Sequence, residues 1–120
     1  MNWTAIGFLG LALGVAAGAF GAHGLRARID GAAMEQWLTA VRYWVIASMA
    51  VTILGEVNRR GVPTGAGPAL VALGGVVFMV AVGGLALGGP RWLGAIAPLG
   101  GGSMIVGLGL AAWKIWRAGF

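Results

Sequence analysis

The sequence predicts an all-α membrane protein: a compact bundle of four transmembrane helices, with an amphipathic interfacial helix between spans one and two. Three observations carry this reading. Apolar residue types make up 59% of the 120 residues, against about 45–50% in soluble domains. Charged residues make up only 9%, where a soluble domain carries about 25%. So few charges cannot cover a folded surface that faces water. Finally, long apolar stretches follow one another with polar segments between them, and about 20 such residues in a helix cross the hydrocarbon of a bilayer. Residues 1–120 read as a single membrane domain.

The first span covers residues 2–23 and holds no charged side chain. A cleaved signal peptide is the competing reading, since Ala17, Ala19 and Ala22 supply small residues. The basic leading region is missing and no soluble domain follows, which favours a span. Residues 24–42 are the longest polar stretch, with Arg26, Arg28, Asp30 and Glu35. Asp30 is placed to cap a helix that starts near Gly31. Met34, Trp37, Leu38 and Val41 fall at i, i+3, i+4 and i+7 and share one face. Residues 31–41 are therefore expected to lie on the membrane surface and run without a break into span two.

Span two, 41–57, has an uncharged run of only 13 residues, Tyr43–Gly55. Arg42 must snorkel, pair or face the bundle. A basic turn follows from Asn58 to Gly65. Gly67-Pro68 then opens span three, 68–88, with proline suited to a first helical turn, and Gly88-Gly89-Pro90 breaks it. The fourth span contains Pro98 and Gly100-Gly101-Gly102. Either the helix kinks there or it begins near Pro98. The second option is favoured and gives a span of 97–117, with Ala95–Ala97 as a re-entrant or packed loop.

Four spans put both termini on one side. Arg26, Arg28, Arg42 and Arg91 then face Arg59, Arg60, Lys114 and Arg117 across the membrane. The positive-inside rule barely decides. The first connection also holds Asp30 and Glu35, and burial of Arg42 in the bundle would remove one charge from that side, so the reading leans towards cytoplasmic termini in the inner membrane, with dual topology as the alternative.

Glycine accounts for 24 of the residues. Each one inside an ordinary helix costs roughly 0.8–1 kcal/mol relative to alanine, so a packing reason is expected. Small residues let helix backbones approach closely in a bilayer. Gly10, Gly14 and Gly18 recur every four residues and Ala22 extends the row. Gly84 with Gly88, and Ser103 with Gly107 and Ala111, repeat the spacing. Packing within the chain is the favoured reading, and homo-oligomerisation through a face left over is the sharper one.

Polar residues are few. His23 is the only histidine; it is a proton-relay or ligand candidate, weighed against a hydrogen-bonded helix end. Trp44, Ser48, Thr52 and Glu56 lie on one stripe that could line a pathway. Against that, Ser and Thr can bond their own helix and Glu56 can pair with Arg60. Arg42 and Tyr43 are candidates for lipid phosphate. Trp3, Trp37, Trp92, Trp113 and Trp116 fit an interfacial belt. There are no cysteines, and one histidine with scattered carboxylates makes a poor metal site. No cofactor motif is present, and the glycine strings lack the strand context and lysine of a phosphate loop. Basic residues scattered at helix ends suit lipid headgroups as partners rather than nucleic acid.

The string Gly18-Ala19-Phe20-Gly21-Ala22-His23-Gly24-Leu25 resembles a motif of the family catalogued as domain of unknown function number 423, the YgdD-like and transmembrane protein 256 family. Val41-Arg42-Tyr43 is similar to that family's Arg-Tyr pair. Phe78 with Leu85-Ala86-Leu87-Gly88-Gly89 is similar to its third-span pattern. Ile96-Ala97-Pro98-Leu99-Gly100-Gly101, followed by Gly107, is similar to its Pro-Ile-Gly-Gly element. In the family a His-containing stretch often follows Arg-Tyr, whereas here it reads Trp44-Val45-Ile46-Ala47. A second histidine to work with His23 is thus missing. The resemblance covers nearly the whole chain and implies four spans in an inner or mitochondrial-type membrane, with no established activity.

The expected function is a non-catalytic packing or assembly protein, forming homo-oligomers or joining a larger membrane complex. The alternative is a small transporter, channel or lipid-binding bundle that uses Glu56 or Arg42. His23, Arg42, Tyr43, Glu56 and Ser103 are the candidate polar or lipid-site residues, and no enzyme is expected from so few groups.

Overall fold

A computed structural model describes residues 1–120. Four helices are long and apolar enough to cross a membrane: α1 (Trp3–Leu25), α2 (Gly31–Arg59), α3 (Gly67–Ala86) and α4 (Leu93–Arg117). Their starts follow local chemistry. The Asn2 side chain accepts a hydrogen bond from the Ala5 amide at 3.0 Å, and Asp30 accepts one from the Ala33 amide at 2.8 Å. Each satisfies an amide that the first helical turn leaves unpaired. Pro68 occupies the first turn of α3. The turns end on glycines with positive φ, Gly61, Gly65 and Gly88.

The helices pack in chain order. α1 lies on α2, α2 on α3, and α3 on α4, while α1 and α4 make no extended contact with each other. Close glycine seams join the outer pairs. On α1, Gly7, Gly10 and Gly14 receive Thr52, Ser48, and Val45 with Trp44. Between α3 and α4, Gly74 meets Gly100 and Gly67 meets Gly107 and Ala111. A β-carbon at Gly100 would lie 2.6 Å from the Phe78 amide nitrogen, nearer than atoms can pack. Gly10, Gly14 and Gly107 therefore work within the chain, and Gly84 lies against Leu93. Gly18 is looser, with Val41 at 3.8 Å. Gly88 is not a packing residue: it stands in a turn at φ +90°, with open space around it.

Two apolar clusters hold the row together. Ala47, Val51, Val71 and Met104 join α2, α3 and α4. Leu25, Trp37 and Ala86 close one end. Only 25 of the 120 residues are buried, so most apolar side chains point outwards, Phe8, Leu9, Val15, Val80 and Leu99 among them. Lipid is the solvent that such a surface requires.

Two expectations change. Residues 31–41 do continue into span two, as one helix of 29 residues, but their apolar face turns onto α1. Met34 and Trp37 lie against Gly21, and Val41 is nearest to Gly18. Trp37 is accordingly 7% exposed and part of the core, not an interfacial belt residue. In α4, residues 95–97 are helical, and the helix begins at Leu93 rather than near Pro98. Pro98 stands in its second turn, where it forfeits a single backbone bond, the one to the Gly94 carbonyl. The glycines beyond it do not break the helix, because Gly100 is needed for close approach to α3.

Candidate functional site

The π-helical turns Gly21–Leu25 of α1 and Met79–Gly83 of α3 flank the Trp37 ring. Such wide turns recur where a helix must be re-phased around a bulky neighbour, often near functional sites. Gly21 and Gly83 face the indole. Trp37 donates its Nε1 hydrogen to the Ala17 carbonyl at 3.0 Å, and Phe20 meets the ring edge-on at 5.9 Å. Trp44 repeats the device one level down, donating to the Gly10 carbonyl at 2.6 Å. The family-like segment around Gly21 and His23 thus wraps the Trp37 plug.

His23 lies on the outside of that turn, exposed and with no hydrogen bond from its imidazole to the protein. It makes no side-chain bond to Arg42 and none that fixes the helix end. Glu56 stands near the opposite end of α2, half-exposed, 3.5 Å from Arg60 and 3.9 Å from Arg59. Above it, Thr52 donates to the Ser48 carbonyl at 2.8 Å. Ser48 and Thr52 fill the seam against Gly10 and Gly7. The stripe from Trp44 to Thr52 is therefore the α1–α2 contact, Glu56 lies beyond it, and a path along it would require the two helices to separate. Ser103 donates to the Leu70 carbonyl at 2.8 Å inside the α3–α4 seam. His23, Asp30, Glu35 and Glu56 form no group of three that could hold a metal ion.

Arg42 and Tyr43 remain side by side. Both are exposed, and Tyr43 meets Phe78 of α3 edge-on at 5.1 Å. Beside them opens a groove of about 490 Å³, lined by Thr39, Tyr43 and Ile46 of α2, Phe78 of α3, and Gly101 and Leu108 of α4, among others. Sequence spacing gave no sign of it, because it lies between helices that are far apart in the chain.

A further feature belongs to α4. Gly100, Ser103, Gly107 and Ala111 face α3, yet Gly102 and Gly109 have no neighbour within 4 Å of where a side chain would begin. With the exposed Ala95 they form a second row of small residues, spaced by seven, on the outer side of the helix. The i+4 spacing at Ser103, Gly107 and Ala111 marked the covered face of α4 and passed over this open one.

The family model described as "Protein of unknown function (DUF423)" matches residues 17–101. A UPF0382 membrane protein of Staphylococcus haemolyticus is 35% identical over 103 residues, covering 85% of this chain and 84% of its own. The UPF0382 membrane protein YwdK of Bacillus subtilis is 32% identical over 111 residues, covering 84% of this chain and 85% of its own. No solved structure matches.

Proposed function

We propose, from the premise that this chain belongs to the DUF423 family and is a small integral membrane protein, that it is a non-catalytic assembly protein that self-associates through the outer face of α4. The observation that carries the reading is the open row Ala95, Gly102 and Gly109. A glycine inside a helix costs roughly 0.8–1 kcal/mol relative to alanine. The glycines of the α1–α2 and α3–α4 seams are offset by close packing within the chain, whereas Gly102 and Gly109 have no such return in a single copy. Small residues spaced by seven suit a left-handed crossing at about +20°, and a second copy inserted the same way presents the same helix. The open order of the helices adds to this, because α4 has only α3 as a full neighbour.

The test is the double substitution Gly102→Leu with Gly109→Leu, read by sedimentation in mild detergent. The wild type is expected to be oligomeric and the variant at least tenfold weaker in association, a change of about 1.4 kcal/mol. A wild type that stays monomeric and without a partner in bilayers would remove the proposal. Transport along Glu56 is the second reading carried from the sequence, and here no difference is expected. Glu56→Gln should leave proteoliposome flux unchanged and alter stability by less than about 1 kcal/mol, since its ion pairs are exposed. Arg42 lies within span two and not in a connection, so the connections and helix ends carry Arg26, Arg28 and Arg91 at one end of the bundle, against Arg59, Arg60, Lys114 and Arg117 at the other. By the positive-inside rule this supports cytoplasmic termini, in the cell membrane or the inner one where there are two.

A further inference from the structure

Facing residues place Arg42 at a definite depth. Gly83 of α3 lies against Trp37 and the adjacent Gly84 against Leu93, so Trp37 and Leu93 stand at one level. The exposed Trp92 is next to Leu93, and the exposed Trp113 is 21 residues further along α4. That separation is about 32 Å of helix, which matches the hydrocarbon thickness of about 30 Å, and indoles of this kind gather at its two boundaries. Arg42 follows Trp37 by five residues, so its backbone lies about 8 Å inside the boundary. Its neighbours on the same side of α2, Ile46, Met49 and Ile53, are exposed apolar residues. No carboxylate lies within ion-pair distance of Arg42; the chain's two salt bridges are both at Glu56. A guanidinium there faces lipid, and it must reach up to the boundary and find its anion outside the protein.

The groove beside it has the complementary shape. It starts at Thr39 and Tyr43, level with Arg42, and descends between α2, α3 and α4 to Ile105 and Leu108. Gly101 opens its wall, since a side chain at that position would begin in empty space. The groove is apolar along this descent, its upper end carries the Thr39 hydroxyl and the Tyr43 phenol, and Arg42 stands on the same stretch of α2, three residues after Thr39 and four before Ile46.

We propose that this chain carries a phospholipid site, in which Arg42 binds the phosphate of an anionic lipid and one acyl chain lies in the groove from Tyr43 down to Leu108. The guanidinium supplies a planar pair of donors that matches phosphate oxygens. The chain in the groove holds the headgroup beside it, so the two contacts reinforce each other. The site does not depend on self-association, because Gly101 faces the groove while Gly102 and Gly109 turn away from it.

Native mass spectrometry of the protein released from mixed phosphatidylglycerol and phosphatidylcholine bilayers tests it. The wild type should retain one lipid and prefer phosphatidylglycerol about fivefold, the effect of one basic residue near a membrane surface. Arg42→Gln should bring the preference to near one, and Arg42→Lys should keep most of it. Gly101→Leu should fill the groove and abolish the retained lipid, while the helix content measured by circular dichroism stays unchanged. Equal retention of both lipids by the wild type, or a retained lipid unaffected by either Arg42→Gln or Gly101→Leu, would overturn the site.

Discussion

Replacing Gly100 with alanine is expected to destabilise the protein by about 2–3 kcal/mol, the upper range for forcing extra atoms into a packed interior. The same change one residue along, Gly101→Ala, is expected to be neutral or to stabilise by up to about 1 kcal/mol, through higher helix propensity. The difference lies in what each position faces. A β-carbon at 100 would meet the Phe78 amide nitrogen at 2.6 Å and the Gly74 carbonyl oxygen at 2.9 Å. These are backbone atoms, so no side-chain rotation relieves the clash, and α3 and α4 must move apart. A β-carbon at 101 meets nothing within 4 Å. Unfolding of detergent-solubilised protein by sodium dodecyl sulfate, followed by circular dichroism, measures both. Equal effects at the two positions would mean that the α3–α4 seam is not as close as described.

Trp37→Ala is expected to have the largest effect of any single truncation, about 3–5 kcal/mol. The ring is almost wholly buried and packs with Leu25 and Ala86. It lies against Gly21 on one side and within reach of Gly83 on the other. Its removal leaves a cavity that two helices, each locally widened to a π turn, are shaped to enclose. Trp37→Phe should cost less. It keeps much of the apolar volume and loses the Nε1 hydrogen bond to Ala17, worth about 1 kcal/mol. The Ala17 carbonyl would still accept the Gly21 amide, so it would not be left unpaired. The same unfolding titration separates the two variants. A Trp37→Ala protein as stable as the wild type would mean that the end of the bundle is not closed by this residue.

Trp37 also shows where the sequence was readable and where it was not. The spacing of Met34, Trp37, Leu38 and Val41 correctly marked one apolar face and a helix that enters span two. Such a pattern carries no information on what covers the face, and a membrane surface and a neighbouring helix leave the same trace. The four spans were legible because length and the absence of charge are properties of the chain alone. The α1 seam was legible at Gly10 and Gly14 for a related reason: a repeat of four keeps one side of a helix small. Gly88 shared that spacing but belongs to a turn, where its positive φ and not its size decides. At Pro98 local propensity pointed to a break, and packing against α3 prevailed, as it can when neighbouring helices fix the backbone.

The polar residues show the same boundary. The sequence located His23, Arg42, Tyr43, Glu56 and Ser103 along their helices, but not around them. His23 turned out to face outwards, Ser103 to lie inside the α3–α4 seam, and Glu56 to pair near the far end of α2. Only Arg42 and Tyr43 share a surface, and the groove beside them is formed by three helices whose juxtaposition no local pattern encodes.

Self-association through α4 is the claim on which the functional account depends, and disulfide trapping in native membranes tests it most directly. The chain contains no cysteine, so a single introduced thiol reports on one position alone. Val106, beside the open glycine row, and Leu9, on the outer side of α1, are similarly exposed at 60% and 62%. Under oxidation, Val106→Cys is expected to form a covalent dimer readily and Leu9→Cys to remain largely monomeric. Dimers at position 9 with none at 106, or equal trapping at both, would contradict it.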